Sequence, residues 1–488
     1  MKPFDISKFK KSITKSLPGI SSGFHDPKTW VSTGSYVLNK LISNDFKKGI
    51  PLGKSTIFAG ESGSGKSLIC SGTVIKNAQD QGIFVILIDT ENALDESWLH
   101  NFGVDTSETK LLKLNMAMVD DVAKTISEFM ISYKEDNQHL PEDERQKILF
   151  VIDSLGMLMT PTDVAQFQAG EMKGDMGRKP KALKALVTNV TNMFGQFDVG
   201  LLCTNHTYAS QDMYNPDPKV SGGCLVAGTK IKMADNSLKT IEEVMVGDFV
   251  QTYMGTNEVV ADKTTHTYTK PCFNIVFDDG FSLACSEDHR FGWNTGRNII
   301  WKSAKEIYKD NSSTFHKQDG TISSITSIIP IGQLPVYDIS VKEAESYILQ
   351  NGILSHNSGP TYAASIVVVL QKRKLKEDEA GNKISEVAGI RSAVMVDKSR
   401  YAKPFEKCEL KIPYDKGMSP YTGMFEFLEG RQILAKIGNR YQYVDNDGVV
   451  HLHFRKNIPT SLYDTIMNEW EGRQIDEVPA IEDDEELT

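Results

Sequence analysis

Eight consecutive residues, Gly60-Glu61-Ser62-Gly63-Ser64-Gly65-Lys66-Ser67, have the make-up of a phosphate cradle. Glycines let successive backbone N–H groups turn inward on an anion, and the start of a helix adds positive potential. Lys66 has the reach for β- and γ-phosphates, and Ser67 has the hydroxyl for Mg²⁺. Two apolar runs end in acids: Ile83 to Ile88 before Asp89-Thr90-Glu91, and Ile148 to Ile152 before Asp153-Ser154. Asp153 is suited to hold Mg²⁺, directly or through water. Glu91 is suited to orient and deprotonate an attacking water, although these residues alone also allow a solvated loop acid. ATP and Mg²⁺ are the expected ligands.

A second chemistry lies at the two ends of a 134-residue stretch. It opens on Cys224 after Ser221-Gly222-Gly223, and closes on Ser355-His356-Asn357, followed by Ser358. A thiol can capture the upstream acyl group as a thioester and is a better leaving group than an amine. Ser358 can take the acyl group as an ester. Asn357 can cyclise on its own backbone carbonyl, with His356 as acid–base partner. Strand-like pieces recur inside the stretch at 230–233, 249–253, 273–277 and 336–339, with turn signals at Asp279-Gly280 and Asn351-Gly352. An all-β body follows.

With Ser286-Glu287-Asp288-His289 and Val336-Tyr337-Asp338-Ile339 added to these ends, the segment 224–357 resembles an intein of the hedgehog/intein fold. The resemblance implies that His289 polarises the Gly223–Cys224 peptide and protonates its nitrogen, with Ser286 in place of the family's threonine. It implies that Asp338 assists the acyl transfer. Glu345 stands where many members carry a second histidine, which would leave asparagine cyclisation to His356. The segment is too short to include a homing endonuclease. Without it, Gly223 runs directly into Ser358-Gly359-Pro360.

The elements needed to position the phosphate loop are legible. Ser55 to Ala59 reads as a strand into the loop, and Leu68, Ile69, Val74, Ile75 and Ala78 as a helix behind it. The apolar runs have the character of strands buried on both faces of a parallel sheet, where ligands bind at the strands' carboxyl ends. Val199 to Thr204 before Asn205-His206, and Ala364 to Gln371 after the insert, read as two more strands, and a hairpin after Lys372-Arg373-Lys374 returns near Ala393 to Val396. Residues 7–18 read as a basic amphipathic helix that packs on its own domain or docks on a neighbouring subunit.

Val31-Ser32-Thr33-Gly34-Ser35, the loop 60–67, the stretch 88–95 and Val151-Ile152-Asp153-Ser154 together resemble the RecA recombinase family. Thr204-Asn205-His206-Thr207-Tyr208 and Gln211-Asp212-Met213 are most similar to the UvsX recombinases of T-even-type phages. By this resemblance Glu91 is the catalytic glutamate. Asp95 and Trp98 contact adenine, Trp98 being otherwise a core aromatic. His206 senses the γ-phosphate, or is a structural loop histidine. Lys398 and Arg400, in Asp397-Lys398-Ser399-Arg400, stabilise the γ-phosphate of the adjacent protomer, or are surface cations. Lys173, Arg178, Lys179 and Lys181, in the glycine-rich stretch 170–181, belong to a first DNA-binding loop or a solvated loop. Residues 208–223 and the residues after 357 form a second DNA-binding loop.

The formal net charge of −10 is unevenly spread: the insert is net −4, residues 476–488 hold seven acids and no base, and the rest is close to neutral. Overall acidity therefore does not exclude a nucleic-acid partner. Six scattered cysteines without metal-ligand spacing read as reduced thiols. No apolar run is long enough to cross a membrane, and the first residues lack a signal peptide's apolar core.

The fold expected is an α/β RecA-type P-loop ATPase core with an inserted all-β hedgehog/intein domain. Its parts are an oligomerisation segment 1–30, a split core 31–223 plus 358–430, the insert 224–357, a small region 431–474 and an acidic disordered tail 475–488. The resemblance implies a recombinase that filaments on single-stranded DNA and exchanges strands with duplex DNA. It implies a cytoplasmic setting in a bacterial or phage-infected cell, and single-strand-binding and mediator proteins as further partners. A RecA-fold ring helicase or other DNA-stimulated motor is the alternative.

Overall fold

The computed structural model describes residues 26–170, 178–195, 197–206, 224–253, 257–294, 299–309, 314–317, 321–341, 346–356, 364–377, 385–414 and 417–472. They fall into two compact units. One comprises Met1–Leu158, Asn189–Tyr208 and Ala364–Thr488, the other Met159–Thr188 and Ala209–Ala363.

In chain order the elements used below begin with β1 (Ser55–Gly60), α1 (Ile75–Asp80), β2 (Phe84–Asp89), α2 (Glu96–Asn101), β3 (Leu111–Asn115), α3 (Val119–Asn137), β4 (Ile148–Asp153), α4 (Arg178–Phe194) and β5 (Val199–His206). The insert supplies β6 (Leu225–Val226), β7 (Asn257–Phe277), β8 (Ser282–Ser286), β9 (Arg290–Asn294), β10 (Ile322–Val341), β11 (Ser346–Ile348) and β12 (Leu354–His356). The chain continues with β13 (Ile366–Leu375), β14 (Gly389–Lys398), β15 (Lys407–Pro413), α5 (Met424–Gly430), β16 (Ala435–Ile437), β17 (Arg440–Val444), β18 (Val450–His453) and α6 (Thr460–Gly472).

The first unit is built on an eight-stranded sheet in the order β15-β14-β13-β1-β5-β4-β2-β3. Its strands from β13 to β3 are parallel, and β14 and β15 are added antiparallel. Every residue of β1 and β4 is buried, as continuous apolar runs require in a sheet covered on both faces. The strands flanking the insert, β5 and β13, both pair with β1, one on each side. Beyond Leu370, β13 runs on past β1 through exposed Lys372, Arg373 and Lys374 and pairs there with β14 alone, which is why the strand outlasts its apolar run. The helix behind the phosphate loop starts as a wide π-type stretch, Leu68–Val74, before α1.

The region after 430 is a three-stranded antiparallel sheet, β16-β17-β18, followed by α6. Tyr443, Leu462, Ile466 and Met467 join the main core.

One expectation is corrected. The basic residues after Gly177 lie on α4, which begins at Arg178, so Arg178, Lys179 and Lys181 open a helix instead of sitting in a loop. Glycine stops at 177, and Pro180 suits a first helical turn, where its missing N–H leaves no bond unmade. Lys173, residues 7–18, residues 207–223, Glu345, Asn357, Ser358 and residues from 473 onward lie outside the described residues.

In the insert, β7 and β10 form a long antiparallel pair, and β8 and β6 close a ring between them: β7 pairs β8, β8 pairs β6, and β6 pairs β10. A second sheet places β9 against β12 and β12 against β11. The core of the ring includes Leu225, Ile275, Leu283, Phe291, Ile339 and Tyr347. Gly280 and Gly352 have φ of 79° and 81°, the left-handed turns that the Asp-Gly and Asn-Gly pairs predict.

Candidate functional site

The register of the parallel strands gathers the nucleotide residues at one edge. Gly60, at the end of β1, is level with His206 on β5, and Asp89 is level with Asp153 across β2 and β4. The phosphate loop leaves from this edge. Gly63 and Gly65 have φ of 72° and 99°. Built there, a Cβ would lie 2.7 Å from Lys372 Nζ and 3.0 Å from Ile412 Cδ1, respectively. Lys66 Nζ donates to the carbonyls of Gly60 and Glu61, each at 2.8 Å, which holds the ammonium inside the loop. Burial pulls this ammonium below its ordinary value, against the opposing charges of Asp153, Glu91 and Glu61. Glu61 is anchored in turn by the Lys372 N–H at 2.9 Å, and the Ser64 carbonyl by the Ser392 hydroxyl at 2.9 Å.

Asp153 is buried, and both its oxygens accept hydroxyl hydrogen bonds, from Ser71 at 2.8 Å and from Thr204. Its carboxylate and the Ser67 hydroxyl form the hard oxygen set that suits Mg²⁺. The buried Ser64 hydroxyl has no hydrogen bond among the described residues, so the loop has polar capacity to spare for a phosphate.

Glu91 is fixed from two sides. One oxygen accepts from Ser154 Oγ at 2.8 Å and from His206 Nε2 at 2.9 Å. Burial works to raise this carboxyl, yet the bonds from His206 and Ser154 outweigh it and hold the group below the usual carboxylate range. The loop carrying Glu91 is itself wound around Asp89, whose carboxylate accepts the N–H groups of Glu91, Ala93 and Leu94 and pairs with Lys113 at 3.0 Å.

Asp95 is exposed immediately before α2. Trp98, one turn on, is half-buried against the core with its ring 4.6 Å from Phe102. Lys398 is level with Val367, three residues back from the phosphate-loop end of β13. Arg400 lies near enough to Lys54 for its charge to lower that ammonium, after burial has done so.

In the insert the two ends converge on one turn. The Cys224 N–H donates to Ser286 Oγ at 2.7 Å, and the Ser286 hydroxyl and N–H reach the Cys224 carbonyl at 3.1 and 2.9 Å. Three residues on, His289 Nε2 is 2.8 Å from the hydroxyl of Ser355, which precedes His356 on β12. Cys224, Ser286, His289 and Ser355 are all buried, as is Asp338 on β10. Tyr337 is level with Leu225, which brings Asp338 alongside Cys224. His356 packs edge-on against Trp301, with ring centres 4.6 Å apart.

The family profile described as RecA N-terminal domain matches residues 20–282, just over half of the chain. The chain belongs to the RecA family. It is 25% identical over 284 residues to the recombination and repair protein of Enterobacteria phage T4, a match covering 56% of this chain and 66% of that protein. It is 24% identical over 294 residues to protein RecA of Nitratiruptor sp., covering 58% and 76%. The chain thus spans about two thirds of the length of the curated relatives it matches. Similar solved structures include the gp41-1 intein, at 23% identity and a TM-score of 0.24, covering 28% of this chain and 100% of that one. A DnaB intein from Synechocystis sp. PCC 6803 matches at 17% identity and a TM-score of 0.24, covering 28% and 99%.

For this RecA-family chain, sequence reasoning named candidate reacting residues and missed the side chains bonded to them. Ser154, Ser71, Thr204 and Asp89 hold the acids of the ATP site, and Ser355 holds His289. Only adjacency to a named residue could have flagged Ser154 and Ser355. Ser71 and Thr204 are small hydroxyls within apolar runs, where a polar residue at a buried position is the available signal.

Proposed function

We propose that this RecA-family chain is the precursor of an ATP-dependent recombinase that coats single-stranded DNA and exchanges strands, and that the insert removes itself by protein splicing. The observation that carries the reading is the meeting of both insert ends on the turn Ser286–His289, while the strands on either side of the insert pair with the same core strand, β1.

In the ATPase, the phosphate loop and Lys66 bind the triphosphate, and Ser67 and Asp153 hold Mg²⁺, which when bound neutralises phosphate charge. Glu91, kept ionised by Ser154 and His206, takes a proton from the attacking water. His206 links Glu91 to the loop that follows β5, so nucleotide state and DNA loop share one hydrogen bond. Asp95 and Trp98 form the adenine side. Lys398 and Arg400 serve the γ-phosphate of a neighbouring protomer. Filament formation would complete the site.

In splicing, Cys224 Sγ bonds to the Gly223 carbonyl carbon as the Gly223–Cys224 C–N bond breaks, and His289 delivers the proton to the departing nitrogen. The Ser358 oxygen then bonds to the same carbon, its proton passing to Asp338 as the C–S bond breaks. The Asn357 side-chain nitrogen bonds to its own backbone carbonyl carbon as the Asn357–Ser358 C–N bond breaks, with His356 as acid–base partner, which releases the insert; the freed Ser358 amine then takes the acyl group from its own oxygen, turning the ester into an amide.

The recombinase reading is tested with the ligated 354-residue chain. It should hydrolyse ATP only when single-stranded DNA is present, and should pair that strand with homologous duplex. Unwinding of a duplex from a closed ring, without pairing, would replace this reading with that of a helicase-like motor.

A further inference from the structure

Beside the groups that the steps above use, the splicing centre contains a buried phenol. Tyr347, in the middle of β11, is fully shielded from solvent and is the largest such side chain among the described residues. Its hydroxyl makes no well-formed hydrogen bond among those residues. Phenylalanine would fill the same space without burying an unpaired hydroxyl, which is unfavourable. A fully buried polar atom of this kind calls for an explanation in function or in a transient partner.

Its surroundings supply one. Tyr347 is level with Ser355 across β11 and β12, and the Ser355 hydroxyl is the group bonded to His289 at 2.8 Å. β10, which packs on β11, carries Asp338 one residue past the partner of Leu225, and Cys224 comes directly before Leu225. Burial first, then the charge of Asp338, push the Tyr347 hydroxyl well above its ordinary value; the Ser355 side chain, a polar neighbour, works the other way, and the charge of Cys224 adds a smaller upward push. It therefore stays protonated and acts as a donor, never as a base. Its electrostatic neighbours are one carboxylate, one thiol and one serine hydroxyl, and the carboxylate is the strongest acceptor among them.

We propose that Tyr347 is a positioning residue of the splicing reaction: its hydroxyl donates to the Asp338 carboxylate and fixes that acid beside the acyl group on Cys224. The inference rests on the splicing reading. Catalytic hydrogen bonds are commonly long before the reacting ends draw together, which fits a buried hydroxyl that has no well-formed bond among the described residues. Held in this way, Asp338 faces the incoming Ser358 hydroxyl in one orientation and takes its proton during transfer. Tyr347 makes and breaks no covalent bond.

The test compares the full chain with Tyr347→Phe and with difluorotyrosine at 347, which has nearly the same shape and a more acidic hydroxyl. Cleavage at Gly223–Cys224 by added hydroxylamine reports thioester formation, and ligated product reports transfer. Thermal melting checks that all three chains fold. Tyr347→Phe should lower ligation by about tenfold or more while hydroxylamine cleavage continues, and difluorotyrosine should ligate at least as fast as tyrosine. Equal ligation by all three chains would overturn the role of the hydroxyl. Equal loss of cleavage and ligation in Tyr347→Phe would reduce Tyr347 to packing. If the unaltered chain neither cleaves nor ligates, the splicing reading itself fails, a result distinct from either.

Discussion

Glu91 is held by its neighbours in the ionised form. Glu91 must stay charged in a half-buried site, and two donors, Ser154 and His206, keep it so. Glu91→Gln keeps the shape and loses the base, so DNA-stimulated hydrolysis should fall by about 10²–10⁴-fold with ATP binding retained in an equilibrium binding assay. The sign of the pH effect follows from the held-down carboxyl. A depressed carboxylate remains ionised into more acid solution than an ordinary one. Removing a donor, as in Ser154→Ala, raises it, so the acid limb of the rate–pH profile should move toward neutral pH. An unmoved limb would mean that Ser154 does not tune the base. Glu91 and Asp153 were legible because an apolar strand ending in an acid is a strong pattern. Ser154 was legible only as a neighbour, since nothing in a serine's type says which carboxylate it will meet. At the insert, Cys224, Ser286, His289 and Asp338 were legible in the sequence as candidates. Ser355 and Tyr347 were not, because their meaning lies in cross-strand register, which links residues distant in sequence.

At the scale of elements, the phosphate loop depends on backbone shapes that a side chain resists. Gly65 has φ of 99°, and a Cβ there would reach Ile412 at 3.0 Å. Gly65→Ala should cost on the order of 1–2 kcal/mol in folding stability, read as a lowered denaturation midpoint, and should weaken ATP binding. The core strands could be read from sequence because each is an uninterrupted apolar run that ends at the nucleotide edge. The long strands β7 and β10 showed only at their apolar ends, Phe273–Phe277 and Val336–Ile339. The polar stretch Lys263-Thr264-Thr265 of β7 takes strand form through pairing with Ile339, Asp338 and Tyr337 of β10, not through local preference. The start of α4 was misread for the opposite reason: basic residues next to glycines look like loop, whereas Pro180 in a first turn is compatible with helix.

For the whole molecule, the insert interrupts the segment between β5 and β13, in the stretch that the RecA resemblance assigns to a DNA-binding loop. A precursor locked by Cys224→Ala and Asn357→Ala should bind ATP normally and show little stimulation of hydrolysis by single-stranded DNA. Stimulation equal to that of the ligated chain would separate the insert from any block on function. The seven acids of residues 476–488 are expected to compete with DNA for basic surface, so deleting them should tighten single-strand binding most at low salt. The most direct measurement of the central claim is the intact mass of the products made from the complete gene, beside the Cys224→Ala/Asn357→Ala control. The account predicts two species of about 39 and about 15 kDa from the unaltered gene, in proportion to 354 and 134 of the 488 residues of a 54.3 kDa chain, and one 54.3 kDa species from the control. A single 54.3 kDa species from both would contradict it.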